Sequence, residues 1–488
     1  MSLINRITSG VKWSSISQVG RQSIQLITTI ILTRLLAPSD FGLVGMGAVV
    51  TGFVTLFHDL GTSAAVIQKE VVSEVFLSSI FWVNASFGLL MAVALFVCAP
   101  FAANLYHEPR VTLILQILSL SFLVSGLSIV QQAILERELA FEKLAKIEIA
   151  ANVSSSLVCI GSALLGAKVW SLVFQTLMFS VATTALLWMS SDWRPKAFFR
   201  WQEVMSVSRF SLNLTGFNIF NYFSRNADYI LIGRFLGAQS LGYYTMAYRI
   251  MLYPIQAISA VVGRVMFPAY SQIREDETRF RRIYLKVVGT IALITFPMMI
   301  GLWGLADQFL LTVLGAQWKP VILLILVLAP IGLMQSIITT VGTIYQAKGR
   351  TDLLFRVGMI TSSLVILAFV IGLRWGIVGV AAAYAIATVV CLYPNFAIPF
   401  HLIGLRFSEF GRIMTPIFLM SLAMLALIKV GLFGMGRIGL TEPWVQLAVG
   451  VLLGGSSYLI FVLRFQRDFL NEFLTLLPAG RFGSSASR

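Results

Sequence analysis

The sequence predicts an all-α polytopic membrane protein, and three observations carry that expectation. The chain has 488 residues, 58% of them hydrophobic and only 12% charged, with a mean hydropathy of +0.86. A soluble globular surface needs about 25% charged residues. The apolar residues fall in runs of about twenty, the length that crosses a hydrocarbon core of about 30 Å. Finally, the chain matches itself weakly at an offset of 200 residues. Together these predict about fourteen transmembrane helices in two parallel-repeat six-helix lobes around a central cavity, followed by two C-terminal helices.

The first span, 13–37, contains Arg21 and leads to no small-residue cleavage site, so it reads as a retained helix and not a removed signal peptide. Ala37-Pro38-Ser39-Asp40 ends it and opens the second, 41–66. Connections marked by charge or by Gly and Pro then delimit 75–99, 111–134, 147–166 and 169–190, which completes the first lobe, residues 1–190. A basic linker, 191–205, precedes 206–236, 240–271, 283–305, 320–345, 354–373 and 376–400, the second lobe, residues 206–402. Spans 411–433 and 444–463 form an accessory pair within 403–465, and 466–488 is a tail. Connections such as Leu236 to Ser240 leave no room for an extramembrane domain, so the work is expected inside the bundle.

Most of the 36 Lys and Arg lie on the side that holds both termini. The other side holds only Arg110, Lys168, Lys319, Arg374 and Arg437. By the positive-inside rule both termini are cytoplasmic. Basic loops facing anionic lipid also account for the net charge of +15 without nucleic acid. Cys98, Cys159 and Cys391 form no CxxC pair, and His58, His107 and His401 give no zinc signature. No phosphate-cradling GxxxxGK[ST] loop is present. No cofactor or metal is expected.

In the self-match, Ile31–Gly42 lies over Leu231–Gly242, so that Arg34 meets Arg234, Leu36 meets Leu236 and Gly42 meets Gly242. Both segments bridge the first two spans of a six-span block. Six is even, so the halves share an orientation. The match continues down the helices. Gln18, Arg21, Gln25 and Thr28 line one face of the first span, and Asn218, Asn221, Arg225 and Asp228 form the same stripe in the seventh. A central Arg in hydrocarbon costs ~2.5–3.5 kcal/mol on insertion scales. Two equivalent helices that both carry polar stripes are expected to face a shared aqueous cavity; hydrogen bonding within each half is the alternative.

Arg21 sits roughly 12 Å and Arg249 roughly 14 Å inside their span ends at ~1.5 Å per residue, and Arg225 lies deeper. Guanidinium forks suit phosphate oxygens, which makes a polyanionic guest the expectation; for Arg225 the alternative is an i, i+3 pair with Asp228. Arg34, Arg234 and Lys429 sit near span ends, where snorkelling or C-terminal dipole capping explains them. Tyr248, beside Arg249, is a candidate for sugar contact. The expected substrate set is therefore Gln18, Arg21, Gln25, Asn218, Asn221, Arg225, Tyr248 and Arg249. Asp228 and Asp59 are intramembrane acids and candidates for coupling to a proton or sodium gradient.

The run Asn226–Arg249 (NADYILIGRFLGAQSLGYYTMAYR), with Thr33–Gly42 (TRLLAPSDFG) and the Gln131-Gln132…Glu136-Arg137 stretch, resembles bacterial Wzx-type polysaccharide flippases, especially the colanic-acid exporter branch. The resemblance covers nearly the whole chain. It implies membership of the multidrug/oligosaccharidyl-lipid/polysaccharide exporter superfamily, with two six-helix lobes and a cavity that opens to either side in turn. The implied cargo is a polyprenyl-pyrophosphate-linked oligosaccharide, moved for exopolysaccharide or lipopolysaccharide synthesis by a monomer that works beside a polymerase and export machinery. The arginine assignments are not part of the motif. A cation antiporter of the same superfamily should have an acidic cavity, whereas arginines outnumber acids here. A membrane glycosyltransferase or polymerase should carry long outer loops, and the longest here is 306–319.

Overall fold

The computed structural model describes residues 3–57, 62–69, 72–201, 212–273 and 276–466. It is helical, with no strand among the described residues. In order, the helices are α1 (Leu3–Leu35), α2 (Pro38–Thr55), α3 (Thr62–Gln68), α4 (Glu74–Tyr106), α5 (Arg110–Gly126), α6 (Ile129–Arg137), α7 (Phe141–Leu164) and α8 (Val169–Ser190). They continue with α9 (Leu212–Arg225), α10 (Ala227–Gln272), α11 (Glu277–Gly304), α12 (Ala306–Phe309), α13 (Val321–Ala347), α14 (Thr351–Gly372), α15 (Gly376–Leu402), α16 (Phe407–Arg437) and α17 (Pro443–Phe465).

Among the described residues, eight stretches are long and apolar enough to cross a membrane, or nine if the bent pair α5–α6 is one span. One of the eight, 351–402, is α14 and α15 together. The fourteen expected segments all contain helix; α1, which carries the first polar stripe, is not among the eight. Three expected spans are interrupted. The 41–66 segment divides into α2 and α3, the 111–134 segment bends by 42° between α5 and α6, and the 206–236 segment breaks at Asn226. Backbone groups freed by the α5–α6 bend find partners on α8: Trp188 Nε1 donates to the Leu127 carbonyl at 2.8 Å and Thr184 Oγ1 to Val124 at 3.2 Å. That satisfaction is what permits a break at membrane depth.

The chain packs as two compact units, residues 1–245 and 246–488. In the first, α4 lies on α5, α7 on α8, α5 on α8, and α1 on α7. In the second, α11 lies on α13, α14 on α15 and α13 on α15, with α16 against α11 and α17. The third-with-fourth, fifth-with-sixth and fourth-with-sixth pairings of each six-span block are thus the same. Lipid is as apolar as the helices, so association rests on close packing and interhelical hydroxyl bonds, worth about 0.6 kcal/mol each on average. Tyr284 with Thr340 (3.2 Å) and Thr295 with Ser336 (3.0 Å) make such bonds between α11 and α13.

Candidate functional site

The polar stripe of α1 is partly engaged in its own helix. The Arg21 guanidinium donates to Gln18 Oε1, both residues are half-buried, and Gln25 is exposed. One position away, buried Ser17 donates to the Glu148 carboxylate on α7. Sequence analysis missed Glu148 because it lies one residue inside the expected span edge at 147. It is an acid on the helix that packs against arginine-bearing α1, a relation the structure alone shows.

The second stripe is arranged by its contacts with α2. The Tyr222 hydroxyl donates to the Val49 carbonyl at 2.6 Å, and Phe223 lies 5.1 Å from Phe53, ring to ring. With Tyr222 turned to α2, Asn221 and Arg225, one helical turn apart, are both exposed. For Asn218 only the backbone is described, and Asp59 lies outside the described residues.

Arg225 and Asp228 do not pair. Arg225 ends α9 and is exposed, whereas Asp228 is 3% exposed in the first turn of α10. The interruption at Asn226 removes the continuous helix that an i, i+3 contact needs. The Asp228 carboxylate instead accepts from the Tyr229 backbone N–H at 2.9 Å, where the positive end of the helix dipole favours an acid. Tyr244 closes over it, its ring edge-on to Tyr229 with centroids 6.2 Å apart.

In the second unit, Tyr248 is half-buried and Arg249 exposed. The Tyr248 ring lies 6.4 Å from Tyr384 of α15, whose hydroxyl accepts from Gln335 Nε2 of α13. Sequence analysis missed Tyr384, a lone tyrosine in a long apolar run, and Gln335, which opens the polar series Gln335, Ser336, Thr339 and Thr340. The structure thus brings together Gln18 with Arg21; Asn221 and Arg225 are exposed one turn apart on α9; Tyr248 joins two residues not anticipated.

The cations at span ends cap neighbouring helices. Arg234 Nη1 donates to the Leu105 carbonyl in the last turn of α4, and Lys429 Nζ to the Gly304 carbonyl that ends α11, at 2.8 Å. Both place positive charge on a negative dipole end, as dipole capping requires.

Gly42 and Gly242, matched in the internal repeat, meet. A Cβ built on Gly42 would fall 1.7 Å from the Ala238 carbonyl oxygen, and one on Gly242 would fall 1.8 Å from that of Pro38. The two equivalent inter-span turns therefore touch backbone to backbone, each glycine on the other turn.

Residues 31–323 match the family model described as polysaccharide biosynthesis protein. The teichuronic acid biosynthesis protein TuaB of Bacillus subtilis is 30% identical over 95% of this chain and 96% of its own length. The lipopolysaccharide biosynthesis protein WzxC of Escherichia coli is 27% identical over 80% of each chain. Among solved structures, the lipid II flippase MurJ in an inward closed conformation superposes with a TM-score of 0.73, covering 94% of this chain and 100% of its own at 19% identity. Its fold is the one seen here. With a family model matched over more than half its length and a relative spanning nearly all of it, this multi-pass membrane protein belongs to the polysaccharide biosynthesis protein family.

Proposed function

We infer that this protein is a flippase that carries a polyprenyl-pyrophosphate-linked oligosaccharide from the cytoplasmic to the periplasmic leaflet by alternating access. The observation that carries this reading is near-full-length similarity to proteins named for the synthesis of surface polysaccharides, combined with the sign of the exposed polar residues. Arg225 and Arg249 are exposed, while Asp228 is buried. Surfaces that present guanidinium and shield carboxylate suit pyrophosphate and repel a cationic drug. Asn221, Gln25 and Tyr248 supply hydrogen-bonding partners for sugar hydroxyls, and the polyprenyl tail can stay in lipid.

The protein resides in the bacterial inner membrane with both termini in the cytoplasm, acts as a monomer and delivers cargo to a polymerase and export machinery. A proton or sodium gradient drives its return, with Asp228 and Asp59 as the coupling acids and no bound cofactor. The test is flipping of a fluorescent polyprenyl-pyrophosphate saccharide in vesicles. Arg225→Ala and Arg249→Ala should each lower the rate about tenfold, the scale of one charged hydrogen bond. Normal rates in both, at normal incorporation, would remove the cationic site. Because Arg225 and Asp228 are not paired, the stability changes of Arg225→Gln and Asp228→Asn should add within about 0.3–0.5 kcal/mol in the double variant.

A further inference from the structure

The polar linker that leaves α8 does not hang free; residues 191–200 run extended along α4 and are fastened to it. The backbone N–H of Lys196 donates to Ser78 Oγ at 3.1 Å and that of Arg200 to Ser79 Oγ at 2.9 Å. Both serines are fully buried. Trp82 Nε1 donates to the Lys196 carbonyl at 3.0 Å, and Lys196 Nζ pairs with Glu74. Three backbone groups of an irregular strip thus find side-chain partners on one helix, which lets it lie against a membrane span.

Between strip and helix lies a groove of about 630 Å³, within the range of about 300–1,000 Å³ typical of ligand sites. Its walls are Trp82, Phe87 and Leu90 on one side and Phe199 and Trp201 on the other, with small Ala197 and Ser86 opening the space between. Along α4 the groove runs on into exposed Val93, Phe96 and Val97, the face the helix turns outward. The strip itself carries three basic residues, Arg194, Lys196 and Arg200. Arg194 is spent on the Trp193 carbonyl and the Trp188 ring, and Lys196 on Glu74. The Arg200 guanidinium is exposed and makes no hydrogen bond or ion pair among the described residues.

The groove is apolar along its length, and Arg200, whose chain neighbours Phe199 and Trp201 line it, carries an exposed guanidinium with no partner among the described residues; together they have the polarity of one lipid molecule. We propose that this groove binds an anionic glycerophospholipid from the leaflet at the N-terminal end of α4, with an acyl chain against Trp82, Phe87 and Phe199 and the phosphate at Arg200. An ordinary aromatic belt is indifferent to headgroup charge; this site is selective for it.

The full-length protein is placed in phosphatidylcholine vesicles containing either brominated phosphatidylglycerol or brominated phosphatidylcholine. Tryptophan quenching is read as the difference between wild type and a Trp82→Phe/Trp201→Phe variant. Quenching should show a roughly five-fold preference for phosphatidylglycerol, the equivalent of about 1 kcal/mol for one basic side chain at a membrane surface. Arg200→Gln should abolish the preference and leave quenching by the zwitterionic lipid unchanged. Ser86→Phe, which fills the groove without adding a fluorophore, should abolish the preference for phosphatidylglycerol. Equal quenching by the two lipids, or a preference that survives Arg200→Gln, overturns the site. Displacement of the brominated lipid by equimolar polyprenyl phosphate, but not by phosphatidylglycerol, overturns the phospholipid assignment in favour of the cargo class.

Discussion

The turn at 35–42 and the turn at 235–242 occupy equivalent places in the two repeats, and they are built by different chemistry. In the first, Ala37 is extended (φ −73°, ψ 152°), Pro38 opens α2 with its fixed φ, and Asp40 reaches back to accept from the Ala37 N–H at 3.1 Å. In the second there is neither proline nor acid. Gly237 turns the chain alone with φ 80° and ψ 177°, a conformation open essentially to glycine. Yet at Gly42 and Gly242 the two turns agree residue for residue, because there each must admit the other's carbonyl. A turn can be made in several ways; a backbone-to-backbone contact admits only the residue without a Cβ. Both turns also rest on the corner after α4. Arg234 binds the Leu105 carbonyl there, and Asp40 adds to the field of Glu108 on Arg110.

The comparison can be broken most severely at the shared contact. Gly42→Ala or Gly242→Ala forces a methyl onto a backbone carbonyl and should destabilise by about 3 kcal/mol, the upper end of overpacking. The readout is the melting temperature of the purified protein, and a loss below half that figure would mean the turns part easily. Next comes the asymmetry at 37 and 237. Gly237→Ala should lose about 2 kcal/mol from strain, whereas Ala37→Gly should change stability by under about 1 kcal/mol. Equal losses would show that the two turns share one backbone requirement after all.

A smaller effect sharpens the difference in capping. Asp40→Ala removes a helix N-terminal carboxylate and should lose about 1 kcal/mol, while Ser240→Ala at the equivalent place should stay within about 0.5 kcal/mol. The smallest effect lies at the corner itself. The hydrogen bond from Arg110 holds the Glu108 carboxyl below its ordinary value of 4.5, against partial burial, which raises it. A depressed carboxylate contributes stability above its unfolded pKa and loses it as pH falls through the folded value. Glu108→Gln should therefore flatten only the acid limb of a melting-temperature profile, below about pH 4.5, the ordinary glutamate value.

The turns were also the most legible part of the sequence. Proline in one and a Gly-Ala-Gln-Ser run in the other placed the breaks near 37 and 237, where α1 ends and α10 kinks. Apolar runs bounded by charge placed 169–190 and 376–400 within two residues of α8 and α15. What escaped was interruption inside an apolar run. The α5–α6 bend follows from Gly126 and its serine neighbours, and the break at Asn226 from contacts with α2, neither of which alters hydropathy. The Asn226 break is also why an i, i+3 count on a continuous helix put Arg225 beside Asp228. Side chains that act across helices, such as Glu148 with Ser17 and Tyr384 with Tyr248, leave no periodic mark because their partners lie over a hundred residues away.

The meeting of Gly42 with Gly242 also has a timetable. A ribosome adds about 5–20 residues per second, so the second turn reaches the membrane some 10–40 s after the first, at those rates. Throughout that interval the notch at Gly42 faces lipid with its mate not yet made. The first repeat must wait in the bilayer in a provisional arrangement, and the seam between the turns closes only as a late, post-insertion event. A chain truncated before residue 237 would never receive its counterpart, however well its own helices formed.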